Sequence, residues 1–179
     1  QSDGWTVTRA TKGSEKLTPA GEWVPISKDE LIAAGESIRT GNRSRVRLQR
    51  GGSSIQIRPN TLIRLPADGV QLADAKVHQL MGRAWYEGEK RQEDHFEVGT
   101  PYFAAVVKGT EFDVSVKTDF TRLSVRRGQV EVNDYDSGDL VLLNRGARAE
   151  TPHASRAGLE TKGNAEVLEP TAARASDIG

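Results

Sequence analysis

The chain has no cysteine among its 179 residues. That absence excludes a disulfide scaffold, thiol catalysis and a cysteine-based zinc site, and it leaves the compartment open. Histidine is scarce: His78, His95 and His153 are the only 3, and no two of them have the spacing of a metalloprotease helix. Aromatic residues make up 6%, and hydrophobic residues only 36%. No apolar run is long enough to cross a membrane as a helix. An excess of either charge is also missing, because 25 Lys and Arg are balanced by 25 Asp and Glu. A general polyanion binder is usually basic overall, so nucleic acid is not an expected partner. No nucleophile elbow, phosphate-binding loop or dinucleotide fingerprint occurs, and no cofactor is expected. The first residue is Gln1 rather than Met, which points to removal of a signal peptide or to trimming.

What the chain does have is alternation. "WTVTR" from Trp5 reads as a first strand, and "RVRLQ", "SIQIR", "FDVSV", "RLSVR" and "QVEVN" each repeat with a period of two. Glycines recur between these runs. Short alternating segments separated by turn residues indicate an all-β sandwich or barrel. "SKDE" at 27–30 fits a helix capping box, with Ser27 as cap and Glu30 three residues on, so either one short helix or an irregular loop is expected there. From about Thr151 the pattern fades into Ala, Thr, Pro and charge, which gives an expected domain over 1–150 and an extended or disordered tail over 151–179.

The alternation can be tested for register. A two-residue turn at Gly51–Gly52 sets Leu48 opposite Ile55 and Val46 opposite Ile57, so that one face is wholly apolar. A turn at Thr118–Asp119 sets Val114 opposite Leu123 and Phe112 opposite Val125. A third turn at Arg127–Gly128 would set Val125 opposite Val130 and Leu123 opposite Val132. A slip by one residue would expose every one of these side chains.

The segment "VGTPYFAAVVKGTEFDV" is the most apolar in the chain. In Thr100–Pro101 the proline fixes φ and biases Thr100 toward extended geometry, so the pair redirects the chain. "FAAVV" suits a strand buried on both faces, Gly109–Thr110 interrupts it as a bulge or bend, and Phe112 re-enters the core. A groove lined by backbone at Gly109 is the weaker functional alternative.

The stretches "GESIRTGNRSRVRLQRGGSSIQIRPNTLIRLP", "HFEVGTPYFAAVVKGTEFDVSV" and "LSVRRGQVEV", in that order, resemble the FecR domain family. The resemblance covers roughly residues 20–150. It implies an all-β, two-sheet, jelly-roll-like sandwich built largely from antiparallel hairpins, located in the periplasm or exported, and a role in contact rather than catalysis. Founding members relay the state of an outer-membrane receptor to a sigma factor. Their cytoplasmic helical region, membrane helix and receptor-contacting C-terminal domain are not visible in this sequence, so iron sensing is not carried over.

Few constellations carry chemistry. "NDYDSGD" at 133–139 lacks the offsets of a calcium loop and reads as a solvated turn. Glu87, Glu89, Glu93 and Asp94 fall in a charged, loop-like run, and neither they nor His95 are expected to catalyse anything. One feature exceeds this background. Seven arginines (39, 43, 45, 47, 50, 58 and 64) lie between Arg39 and Arg64 without a single acid. Hairpin register places Arg45 opposite Arg58 and Arg47 opposite Gln56, whereas the second hairpin balances Glu111 against Arg126 and sets Asp113 opposite Ser124. Such a strip is either a solvated outer face or a surface for acids, since arginine forks suit carboxylate and phosphate. The candidate interaction surface is therefore Arg43, Arg45, Arg47, Arg58 and Arg64, with an envelope protein as the expected partner. The alternative is an anionic envelope polymer, peptidoglycan or lipopolysaccharide.

Overall fold

The computed structural model of the chain describes residues 4–65, 76–88, 96–154 and 158–168. Among these, every regular element is a strand. In chain order they are β1 (Trp5–Ala10), β2 (Ser14–Leu17), β3 (Trp23–Pro25), β4 (Leu31–Ile32), β5 (Ser37–Thr40), β6 (Val46–Arg50), β7 (Ser53–Ile57) and β8 (Leu62–Arg64). There follow β9 (Lys76–Glu87), β10 (Phe96–Gly99), β11 (Phe103–Val116), β12 (Phe120–Asp134), β13 (Leu140–Leu143), β14 (Arg148–Pro152), β15 (Glu160–Lys162) and β16 (Ala165–Val167).

Three long strands, β9, β11 and β12, organise the rest. One run of pairing passes β4-β1-β6-β7-β9-β11-β12-β14-β15, and a second passes β3-β2-β5-β8-β9-β10-β11-β12-β13-β16. The long strands belong to both runs because each changes its inward face partway along. On β11 the buried set is Phe103, Ala105 and Val107, then Phe112, Val114 and Val116. On β12 it is Thr121, Leu123 and Val125, then Val130, Val132 and Asp134. The step from Val107 to Phe112, like that from Val125 to Val130, is odd, so the alternation reverses there. Bulges make this possible: the ladder is regular to Lys108↔Gln129, irregular around Glu111↔Arg127, and regular again from Phe112↔Val125. Strands that switch sheets through bulges are how one chain closes two layers over one core, and the whole is an all-β fold consistent with a β-sandwich.

β9 reverses in the same way, from Val77 and Gln79 to Ala84 and Tyr86. Gly82 sits at the reversal with a φ of 90°. A side chain there would overlap Thr61, so the bend requires glycine. Gln79, fully buried, satisfies the bend. Its amide donates to the Gly82 carbonyl (3.1 Å) and the Val114 carbonyl (2.9 Å), and its oxygen accepts from the Tyr86 hydroxyl (2.8 Å). Tyr86 stacks on Phe112 at 5.1 Å, in the middle of the core, and burial pushes its phenol far above the ordinary value.

Two of the three expected hairpins form with the expected register. Val46↔Ile57 and Leu48↔Ile55 close the first, and Phe112↔Val125 and Val114↔Leu123 close the second. The third is corrected. β12 runs straight through Arg127–Gly128, and Val130 and Val132 pair with Val107 and Ala105 of β11 instead. Gly128 has a φ of 80°, and it serves the bulge that turns the strand's face over rather than a turn that reverses its direction. Glu111 accordingly lies opposite Arg127, not Arg126.

The short helix is also absent from the described residues. The Glu30 carboxylate does accept from the Ser27 amide (3.0 Å), as in a capping box, but Asp29 takes a φ of 71° and the chain enters β4. Paired strands continue beyond residue 150: β14 joins β12, β15 joins β14, and β16 joins β13. The sheet therefore extends to Val167, past the expected start of the tail.

Two substitutions test this core. Phe112→Ala should lower the unfolding free energy by about 3–5 kcal/mol in urea denaturation, and a change within error would mean the register is wrong. Gln79→Leu, which strips the β9 bend of its donor, should cost about 1–3 kcal/mol, and a neutral result would show that the bend does not depend on it.

Candidate functional site

The Thr-Pro segment does what its chemistry requires. β10 and β11 pair antiparallel up to Gly99↔Ala104, and the chain reverses between them. The Thr100 hydroxyl accepts from the amides of Tyr102 (3.1 Å) and Phe103 (2.9 Å), which fixes the turn. Thr110 is buried and Phe112 is fully buried, with a register shift at Gly109–Thr110, so this stretch is the spine of the core.

The arginines separate into groups. Arg39 pairs with Glu15 (2.8 Å) and covers the Trp23 ring, and Arg50 lies over the Trp5 ring. Arg64 is on β8, which pairs with β5 and β9 rather than with β7, and it stands beside His78. There burial, then the charges of Arg64 and Lys76, push His78 below its ordinary value, with Glu97 opposing. Arg64 is thus not part of the strip. Arg43 is exposed in the turn that precedes β6.

Arg45, Arg47 and Arg58 do come together, and a fourth joins them. Arg9 lies directly opposite Arg47 across the β1–β6 ladder, and the four line a groove of about 280 Å³ with Thr8 and Gln56. Sequence reasoning missed Arg9 because it sits far from the acid-free window and the pairing of β1 with β6 is non-local. A signal existed: in an unbroken alternation Trp5, Val7 and Arg9 share a face, and Trp5 and Val7 are core residues. The structure resolves that conflict with a bulge. The register shifts between Val7 and Arg9, Thr8 is the extra residue, and Arg9 turns outward.

Placement of Arg58 depends on two threonines of the quoted motifs. Thr40 donates to the Arg58 carbonyl (2.6 Å) and accepts from the Thr61 amide (3.0 Å), while the Arg58 amide bonds the Arg83 carbonyl (3.0 Å). Carrying the β6–β7 register one step past Val46↔Ile57 sets Arg45 opposite Arg58. Burial, then the charges of Arg45 and Arg83, make the Arg58 guanidinium less basic than usual, with Asp113 opposing.

What distinguishes the groove is that four guanidiniums without an ion-pair partner among the described residues gather around one concavity. Elsewhere on the same sheet Arg83 pairs with Asp113 (2.6 Å) and Arg122 with Glu150 (2.6 Å), while Arg127 reaches Glu87 at 3.8 Å. Arg126 caps the Trp85 ring. Among the described residues no carboxylate reaches Arg9, Arg45, Arg47 or Arg58 within ion-pair distance.

Other candidates have local explanations. Asp134 accepts from the Ser137 amide (2.8 Å) and hydroxyl (2.7 Å), so this carboxylate of "NDYDSGD" closes a turn. His153 stacks on Tyr102, bonds the Thr121 hydroxyl (2.9 Å) and reaches the Thr118 carbonyl (3.0 Å), which fastens the β11–β12 turn to β14. Glu89, Glu93, Asp94 and His95 lie outside the described residues. A larger cleft of about 720 Å³ lies between Leu80, Met81, Tyr102 and Phe120, and Asn60, Lys117, Thr118 and Asp119 also line it.

Comparison with known proteins bears on these features. A family model described as FecR protein matches residues 36–131, a span that holds Arg45, Arg47 and Arg58 but not Arg9. Two crystal structures of a candidate anti-sigma factor from Parabacteroides distasonis, at 1.65 and 2.50 Å, share the fold. Each aligns with a TM-score of 0.61 at 19% identity, over 72% of this chain and 59% of its own. The chain therefore spans less than two thirds of that protein's length. No curated protein matches.

Unrelieved repulsion in the groove predicts a salt effect. Arg47→Gln should melt at the parent temperature or up to about 3 °C higher at low ionic strength, and the difference should close as salt is added. A variant that melts lower at every salt concentration would show that Arg47 stabilises the fold.

Proposed function

The chain belongs to the FecR protein family, and we propose that it is a non-catalytic interaction module, periplasmic or exported, that makes protein contact in envelope signalling or assembly. The observation that carries this reading is the uncompensated arginine face of β1, β6 and β7. Three of its four arginines fall within the span matched by the family model. A folded domain holds like charges together against their repulsion when something opposite in sign is there to meet them, and such surfaces steer encounter as well as binding. The structural neighbour, a candidate anti-sigma factor, supports a regulatory setting. Among the described residues no helix is long and apolar enough to cross a membrane, and no group of three or more His, Asp or Glu forms a metal-ligand set.

A second reading keeps the same surface and changes the occupant. Guanidinium groups bind phosphate as readily as carboxylate, so an anionic envelope polymer, peptidoglycan or lipopolysaccharide, would also suit them.

Immobilised protein should retain material from an envelope extract, and treating that extract with protease beforehand should abolish retention. Retained material that survives protease and carries sugar or phosphate would replace the first reading with the second. Turnover of any substrate that is lost on Glu87→Gln would overturn both.

A further inference from the structure

The groove carries more than a sign of charge; it carries a spacing. Resting on the reading of the chain as a protein-contact module, we propose that its occupant is an extended acidic segment of the partner protein, with carboxylates on alternate residues. Arg45, just before β6, and Arg47, within it, lie two positions apart, both exposed, with buried Val46 between them. Arg9 stands opposite Arg47, and Arg58 stands beside Arg45. Positive charge is therefore arranged in two tiers, each a pair of guanidiniums drawn from neighbouring strands. The tiers are separated by two residues of strand, roughly 6.6 Å.

An extended peptide has the same repeat, because its side chains on one face recur every two residues. Laid along β6, a segment of the pattern acid-x-acid sets one carboxylate over the Arg9–Arg47 tier and the next over the Arg45–Arg58 tier. Each carboxylate then meets two guanidiniums, each able to give it charge-assisted hydrogen bonds. Gln56, opposite Arg47, adds a neutral amide to the first tier, and the Thr8 hydroxyl donates to the Arg47 carbonyl (3.3 Å).

The surroundings favour a short segment over a long polyanion. Beyond the groove the outward face turns mixed: Arg83 is paired with Asp113, Arg122 with Glu150, and Glu160 follows opposite Glu150. A polyanion laid across the strands would run from the four guanidiniums into carboxylates, and one laid along β6 would pass from Arg47 to the neutral Gln49. A segment whose acids are confined to three consecutive positions would not. The bulge at Thr8 agrees with this. It is a local irregularity in an otherwise regular ladder, and its effect is to bring Arg9 onto the tier that β6 alone would leave with one guanidinium.

The test uses three short fluorescent peptides that differ only in acid placement: Glu-x-Glu, two adjacent Glu, and Gln-x-Gln. Binding is read by anisotropy at low salt for the wild type and for the Arg9→Gln plus Arg58→Gln variant, with inorganic polyphosphate as a fourth probe. Melting temperature and near-ultraviolet circular dichroism verify that the variant is folded, and Arg9→Lys plus Arg58→Lys keeps the charge while removing the forks. The Glu-x-Glu peptide should bind at least about tenfold tighter than the other two. The Gln variant should lose at least that factor, and the Lys variant should lose part of it. Equal binding of all three peptides, or binding that ignores both variants, would overturn the proposal. So would tight polyphosphate binding with no peptide binding, which would assign the groove to a polymer. A protease-sensitive partner held equally by wild type and Gln variant would also overturn it, while leaving the contact-module reading in place.

Discussion

Side-chain alternation is the constraint on which everything else in this fold depends. A strand sends successive residues to opposite faces, so a strand that must serve two sheets has to break the alternation once, at the right place. β9, β11 and β12 each do so. On β11 and β12 the break is shared: equal lengths of chain are irregular between Lys108↔Gln129 and Phe112↔Val125, so both strands turn over together and stay in register afterward. Had only one strand carried the irregularity, half of the ladder would have presented Val130 and Val132, or Phe112 and Val114, to water. Burying side chains of that size is worth about 1.5–3 kcal/mol each, against about 0.5–1.5 kcal/mol for each hydrogen bond a bulge gives up.

The same constraint explains what could and could not be read from the residues. Local pairings were legible because the apolar positions of adjacent runs select a single register, as at Gly51–Gly52 and Thr118–Asp119. The error at Arg127–Gly128 has the same origin. Leu123, Val125, Val130 and Val132 switch parity at that point, and two structures produce that pattern: a hairpin that reverses direction, or a bulge that reverses face. Gly128 with its positive φ serves either, and only the location of the partner strand decides. β11 supplies a partner with its own matching irregularity, so the long straight pairing wins. The turn at Thr100–Pro101, by contrast, was legible from proline's fixed φ, while the Thr40–Thr61–Arg58 tie lies beyond the reach of periodicity.

Part of the candidate site was legible and part was not, for a reason that is also geometric. Three arginines on one hairpin follow from alternation alone. Arg9 arrives through a non-local pairing plus a bulge, and Arg64 departs because β8 pairs with β5 and β9. Both corrections concern which strands lie side by side, a property set by loop closure and sheet topology rather than by local pattern. The result is a tighter cluster than the sequence implied: four guanidiniums around one groove, with no carboxylate of the described residues in ion-pair reach. The FecR family supplies the scaffold, and the fold is shared with a protein of different sequence at a TM-score of 0.61. Identity of 19% leaves surfaces free to diverge, so the partner must be read from this chain's own charge and shape.

Among the described residues, the arginine groove and the cleft at Leu80, Met81, Tyr102 and Phe120 compete for that partner. Backbone amide exchange of the protein alone and with its captured partner distinguishes them in a single measurement. The account predicts slowed exchange in peptides covering residues 6–11, 43–50 and 53–58, with the peptides around 80–82 and 117–120 unchanged. Protection confined to 80–82 and 117–120 would contradict it, and would make the arginine strip a solvated face.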